Sequence, residues 1–241
     1  QPPARFALSE AAIQHNTNLL REHDLDLGKF LAAHPSTTLG FGSEFRPSIQ
    51  LRSILGQHPS FEFFAGILEN GMDYRFRREL SEVERKTELK TIIDRGNHKS
   101  VQENSVEAGK LLKKDVTHGF SLPVDPKIVP HIKGSMVQPA GIVTQYSLIE
   151  DGSRILKRRL TQDLSFGDES VNRRIDMEAY VEMIYGWCLS RIVHFIIALR
   201  QNFPHKRILI VKYDYSDAYR RIAHSASAAA QSIIIFDNVA Y

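Results

Sequence analysis

PAGIVTQYSLIEDGSRILKRRLTQDLSF, residues 139–166, sets two β-rich runs on either side of Asp151-Gly152. The runs, about 142–149 and 154–164, are rich in Ile, Val, Thr, Tyr and Leu, and Asp-Gly between such runs is a strong hairpin signal. The spacing predicts a two-stranded antiparallel ribbon in the second half of the chain. Side chains alternate faces along a strand, so Lys157, Arg159, Thr161 and Asp163 share one face, while Leu156, Arg158 and Leu160 share the other. One face therefore presents Lys157 beside Arg159. A solvated ribbon edge favours such charges; so does a phosphate clamp, with Arg159 as a planar fork and Lys157 as a point charge.

Outward from the ribbon the periodicity is mostly helical. FALSEAAIQHNTNLLREH (6–23) has Ser9 as N-cap and apolar residues at helical steps. SIQLRSILGQHP (48–59) is short and amphipathic, ended by Gly56 and Pro59. LSEVERKTELKTIIDRGNH (80–98) starts with Ser81 as cap, stops at Gly96 and carries the alternating charge of a solvated face. NSVEAGKLLKKDVTHG (104–119) reads as another short helix. Beyond the ribbon, Tyr180, Ile184, Cys188, Ile192, Ile196 and Leu199 recur at helical steps, predicting one helix over about 176–201 with a broad buried stripe, stopped before Pro204. RILIVKYDY (207–215) is a continuous apolar run expected as a buried strand, and SIIIFDNVAY (232–241) as a strand and turn. The order predicts an α+β fold.

The 241 residues, 42% of them hydrophobic, suffice for one large domain or two small ones. With 31 Lys and Arg against 28 Asp and Glu, the net charge of +3 is far below that of a ribosomal-type basic protein. The one cysteine, Cys188, excludes an internal disulfide framework and a cysteine-based zinc cluster, and implies no disulfide-linked partner. No apolar stretch approaches the roughly 18 residues of a membrane span, so no membrane association is expected, and the location expected is intracellular, cytoplasmic or nuclear. The chain opens on Gln1 and stops at Tyr241 after a strand-like run, which gives the expectation of a fragment cut at both ends.

Most familiar chemistries find no pattern. LGFGSEF (39–45) has Gly-x-Gly without a preceding strand or third glycine, and a turn accounts for it. The ten histidines are scattered, and His98, His118, His131, His194, His205 and His224 never pair at ligand spacing. Cys188 falls on the expected buried stripe and reads as core. Carboxylates that follow an apolar run are different. Asp214 comes straight after Ile208–Val211 and Lys212-Tyr213, where aspartate is a poor strand former, and Asp217 follows. The two can cap a turn, or one can hold a hard divalent cation beside substrate phosphates.

YDYSDAYRR (213–221) resembles the first catalytic motif of reverse transcriptases: a strand, an aspartate, then Ala-aromatic. EDGSRILKRRLTQDLSF (150–166) with SVNRRI (170–175) resembles that family's fingers hairpin, with Arg159 four residues before Asp163 and Asn172 after it. VEAGKLLKKDVTHG and QPAGIVTQYSL are similar to the hairpin's lead-in helix and first strand in retrotransposon polymerases. The likeness spans about residues 104–241, and 1–95 resembles the extension that precedes the polymerase in some eukaryotic retroelements. It implies a right-hand polymerase layout: a helical extension over 1–95, a fingers-like region over 96–205 with hairpin 142–164 and helix 176–201, and the first palm strands over 206–241.

Residue by residue, the resemblance implies that Asp214 and the backbone carbonyl of Tyr215 ligate Mg²⁺, or Mn²⁺, with two ions in the complete enzyme. Tyr219 would be the steric gate under the sugar. Backbone amides around Asp217 and Ala218 would meet the triphosphate, and Arg159 with Lys157 would clamp it from the fingers. Implied partners are an RNA or DNA template-primer and a dNTP. The family's aromatic-x-Asp-Asp turn occurs nowhere in the 241 residues, so the chain is expected to be inactive alone. The alternative is a noncatalytic retroelement-derived remnant that binds nucleic acid or a protein partner.

Overall fold

The structure, a computed structural model, describes residues 7–34, 47–149, 151–180, 188–210 and 222–241. These fall into two units, one reaching residue 175 and including 222–241, the other spanning 176–210.

In the larger unit, local sequence rules set the helix ends. Helix α1 (Glu10–Glu22) begins at Ser9, whose Oγ accepts the Ala12 amide at 3.2 Å. Helices α2 (Leu27–Ala33), α3 (Ser48–Leu55) and α4 (Phe61–Asn70) follow, then α5 (Glu82–Arg95). Ser81 and Glu84 close a capping box at the start of α5, each accepting from the other's backbone amide. The Ser81 hydroxyl and amide hold the Glu84 carboxyl down at about 2. Helices α6 (Lys99–Glu103) and α7 (Ser105–Thr117) and a 3₁₀ turn (Pro126–His131) lead to the strands β1 (Ala140–Leu148) and β2 (Arg154–Gln162). After α8 (Val171–Arg174), the unit closes with α10 (Ala226–Ala230) and the hairpin β3 (Ile235–Phe236) and β4 (Val239–Ala240). The Asp237-Asn238 turn has φ of 48° and 57°, the left-handed geometry a two-residue hairpin requires.

One core joins distant parts of this unit. Leu20 and Phe30 from α1 and α2, and Leu89 and Ile92 from α5, pack with Val129, Met136, Val137 and Ile233. A second cluster sets Val101, Ala108 and Leu112 against Ala140, Ile142 and Ile234. Two long-range bonds tie polar groups inside the unit: Asn16 Nδ2 donates to the Pro123 carbonyl at 3.0 Å, and the Asp125 amide donates to Thr17 Oγ1 at 2.9 Å. The buried Arg85 guanidinium donates to Ser135 O and Oγ at 2.9 and 2.8 Å and to Pro130 O at 3.1 Å. It thereby pins the 130–137 loop to α5. Gly71, at φ 80°, runs against the 224–225 backbone so closely that a Cβ there would lie 2.6 Å from His224.

Two small antiparallel sheets among ten α-helices make the described residues a mixed α and β structure, as the sequence predicts. No helix among them is long and apolar enough to cross a membrane.

The smaller unit corrects two expectations. Where one helix was expected over 176–201, Met177–Ala179 is a 3₁₀ turn capped by Asp176, and Tyr180 is extended. Helix α9 runs Cys188–Asn202 and ends before Pro204 as expected, but no residue in it is buried; Cys188 is exposed and Leu189 is 76% exposed. Ile184 lies outside the described residues. The second correction concerns RILIVKYDY. Its described part, 207–210, forms no strand, and Leu209 and Ile210 are 68% and 73% exposed. Periodicity says which residues share a face; burial needs a second element against it, and among the described residues this unit supplies none.

Candidate nucleic-acid interface

β1 and β2 pair antiparallel over their full length, from Ala140↔Gln162 to Leu148↔Arg154. The turn is closed by Ile149 N–H donating to Ser153 O at 3.0 Å and Gly152 N–H donating to Ile149 O at 2.9 Å. Asp151 Oδ1 accepts the Ser153 amide at 2.7 Å, which draws its carboxyl below the usual aspartate range. Gly152 sits at φ 81°, where glycine is favoured.

The base of the ribbon is built into the body. Asn97 Oδ1 accepts the Ala140 amide at 2.8 Å, the Ala140 carbonyl accepts the His98 amide at 3.0 Å, and Ser100 Oγ accepts the Ile142 amide at 3.0 Å. Asp163 turns below the ribbon, with Oδ2 3.0 Å from His98 Nε2 and Oδ1 accepting the Ser165 amide. Arg95 lies over the Phe166 ring at 4.0 Å, with Nη2 3.3 Å from His98 Nδ1. Asn172 donates to Leu164 O from its backbone at 2.9 Å and to Ser165 Oγ from its side chain at 2.7 Å. Asp163 and Asn172, part of the hairpin pattern in the sequence, hold the loop under it.

Beyond Leu160 both faces meet solvent. Lys157 opposite Gln145 and Arg159 opposite Val143 lie on one face, as alternation predicts, and both are exposed. The other face carries Arg154, Leu156 and Arg158 with Thr144 and Tyr146. None of Arg154, Lys157, Arg158 or Arg159 forms an ion pair with a described residue, and β1 carries no charged side chain. The shaft is thus a positive ribbon with apolar Val143, Tyr146, Ile155 and Leu156 exposed among its cations. Such a surface can meet phosphates along a backbone, with the aromatic ring open to a base or sugar.

The remaining predicted site residues, Asp214, Tyr215, Asp217, Ala218 and Tyr219, lie outside the described residues. Lys157 and Arg159 are therefore the predicted pair whose placement is described. Among the described residues no three His, Cys, Asp or Glu side chains come together as a metal cage. An open cavity of about 590 Å³, lined by Asn97, Val101, Gln102, Ser105, Gly109 and Phe236, includes no predicted site residue.

No family model, no curated protein and no solved structure matches the chain. The ribbon's own geometry is therefore what bears on function. Arg158 was placed on the second face from the sequence; Arg154 on that face and the Asn97-His98-Ser100 anchor were not. Arg154 and Arg158 share parity with Leu156, a signal that alternation does contain; the anchor spans about forty residues of chain and has no local signal.

Proposed function

We propose that the chain is the fingers and first palm segment of an RNA-directed DNA polymerase, a reverse transcriptase of a retrotransposon-like element, which holds a template-primer and dNTP. The observation that carries this reading is the β1–β2 ribbon, exposed beyond Leu160, whose second strand bears four cations that pair with no acidic side chain among the described residues. Lys157 and Arg159 share a face, so a polyphosphate laid along it meets a point charge and a planar fork at alternate residues. In the complete enzyme Asp214 and the Tyr215 carbonyl would hold two Mg²⁺ or Mn²⁺ ions, which supply charge stabilisation for the attacking and leaving oxygens of nucleotidyl transfer. Tyr219 would exclude a 2′-hydroxyl, and the amides of Asp217 and Ala218 would meet the triphosphate. The aromatic-x-Asp-Asp pair is absent from the 241 residues, so the chain by itself binds but does not extend. The alternative is a noncatalytic retroelement-derived remnant that binds nucleic acid or a protein partner.

The test is binding of a primed RNA template across a salt series, with primer extension in parallel. Lys157→Ala with Arg159→Ala should weaken binding at least tenfold and flatten the slope of log affinity against log salt by about 0.7–0.9 for each phosphate no longer neutralised. Unchanged affinity and slope in the double variant would remove the clamp. Incorporation of dNTPs by the isolated chain, abolished by Asp214→Ala, would overturn its assignment as inactive.

A further inference from the structure

The two edges of the ribbon are not alike. In an antiparallel pair, residues that bond across the ladder alternate with residues whose N–H and C=O point outward. The Ala140 and Ile142 amides point outward, to Asn97 and Ser100, so by the same alternation Thr144, Tyr146 and Leu148 present their backbone groups outward on β1. Opposite them, Arg154, Leu156 and Arg158 do so on β2. Among the described residues nothing hydrogen-bonds the outward groups of Thr144 or Tyr146, and neither is bonded elsewhere.

Open edges are templates for strand addition, and natural sheets guard them with charge. β2 is guarded by Arg154, Lys157, Arg158 and Arg159. β1, AGIVTQYSL, has no charge at all, and its Val143 and Tyr146 are 42% and 68% exposed. A two-stranded ribbon with solvent on both faces is marginally stable in water, and a third strand is what stabilises such a unit.

We infer that the distal edge of β1, residues 143–148, is a self-association surface where a second copy of this chain adds antiparallel, making a four-stranded sheet in the order β2-β1-β1-β2. The strand's neutrality selects the occupant. A charged partner finds nothing on β1 to complement, whereas a second copy brings the same uncharged edge and leaves its cations on the far strand. Pairing through β2 instead would set like charges opposite one another. The Asn97–Ser100 segment already occupies the base of the β1 edge, so the register is limited to the distal part. Using Thr144, Tyr146 and Leu148 together places Tyr146 opposite its own copy. This inference does not rest on the polymerase reading, because it uses the outward backbone groups of β1 and not the Lys157–Arg159 clamp.

Sedimentation equilibrium of the full chain tests it, with amide exchange alongside. Proline lacks the N–H but tolerates an edge position whose N–H faces solvent. Thr144→Pro should therefore leave the hairpin paired and shift the chain to monomer, weakening the dimer at least tenfold, and Thr144→Lys should do the same without touching the backbone. Leu156→Pro, at the outward position of β2, should leave dimerisation unchanged. The Thr144 and Tyr146 amides should gain protection as concentration rises. A wild-type chain that stays monomeric at millimolar concentration overturns the inference, as does Thr144→Lys dimerising with wild-type affinity, or Leu156→Pro dissociating the dimer as strongly as Thr144→Lys.

Discussion

His224 pairs with Met72 in a single parallel β-bridge, with its ring 5.7 Å from Tyr74 and edge-on to it. Burial pushes its imidazole below the ordinary histidine value of 6.5, more than the nearby Asp73 charge raises it. The folded state favours the neutral ring, so the unfolded chain binds the proton first as pH falls. The stabilisation is present in full above about pH 6.5 and is lost on acidification below it. A urea midpoint measured from about pH 7.5 down to 5.5 should fall, and His224→Gln should flatten that fall; an unchanged slope in the variant would place the titration elsewhere. The carboxylates respond in a separate window. Glu82, held at about 2 by Arg85, and Glu84, held at about 2 by Ser81, stabilise the fold above their ordinary 4.5 and lose that contribution only as pH falls from there toward 2.

At the scale of the element, the β1–β2 ribbon was legible in large part from its own residues. The Asp151-Gly152 turn and the face shared by Lys157 and Arg159 follow from a period of two around a turn that favours glycine, whereas the register, closed by Ile149 and Ser153, and the start of β1 at Ala140 were not read from the sequence. The base was not legible, because His98, Ser100 and Asn97 reach it from another part of the chain. Exposed on both faces beyond Leu160, the shaft should open on its own, as a local unit below the global stability. Gly152→Val forces a branched side chain into a positive-φ position and should cost about 1 kcal/mol or more. The amides of Gln145 and Lys157, bonded across the ladder, should then exchange at least about fivefold faster while the melting temperature of the body holds. A melting temperature that falls with the hairpin would mean that ribbon and body unfold together.

For the larger unit as a whole, segments from residues 7–34, 82–95, 120–137 and 230–240 share one core. Phe30 is fully buried there beside residues far along the chain. Removing a buried phenylalanine side chain costs about 3–5 kcal/mol, a large share of the roughly 5–15 kcal/mol that holds a domain together. Deleting residues 1–34 should therefore leave a chain without a cooperative thermal transition, and Phe30→Ala should lower the urea midpoint markedly at unchanged slope. A deletion that melts cooperatively near the full chain's temperature would show the first helices to be dispensable.

Short stretches of chain carry the local features: the Ser9 and Ser81 caps, the stops at Gly96 and before Pro204, the turn at Asp151-Gly152 and the alternation that puts Lys157 beside Arg159. Each depends on residues within a few positions of one another, so propensity and period suffice. Burial came from contacts between distant segments. The stripe on α9 and the run at 207–210 have the composition of core yet stand exposed, while polar Asn16 and Arg85 are buried. Burial is settled by whether a partner surface arrives and whether it satisfies every donor, and neither is written in the spacing of a single segment.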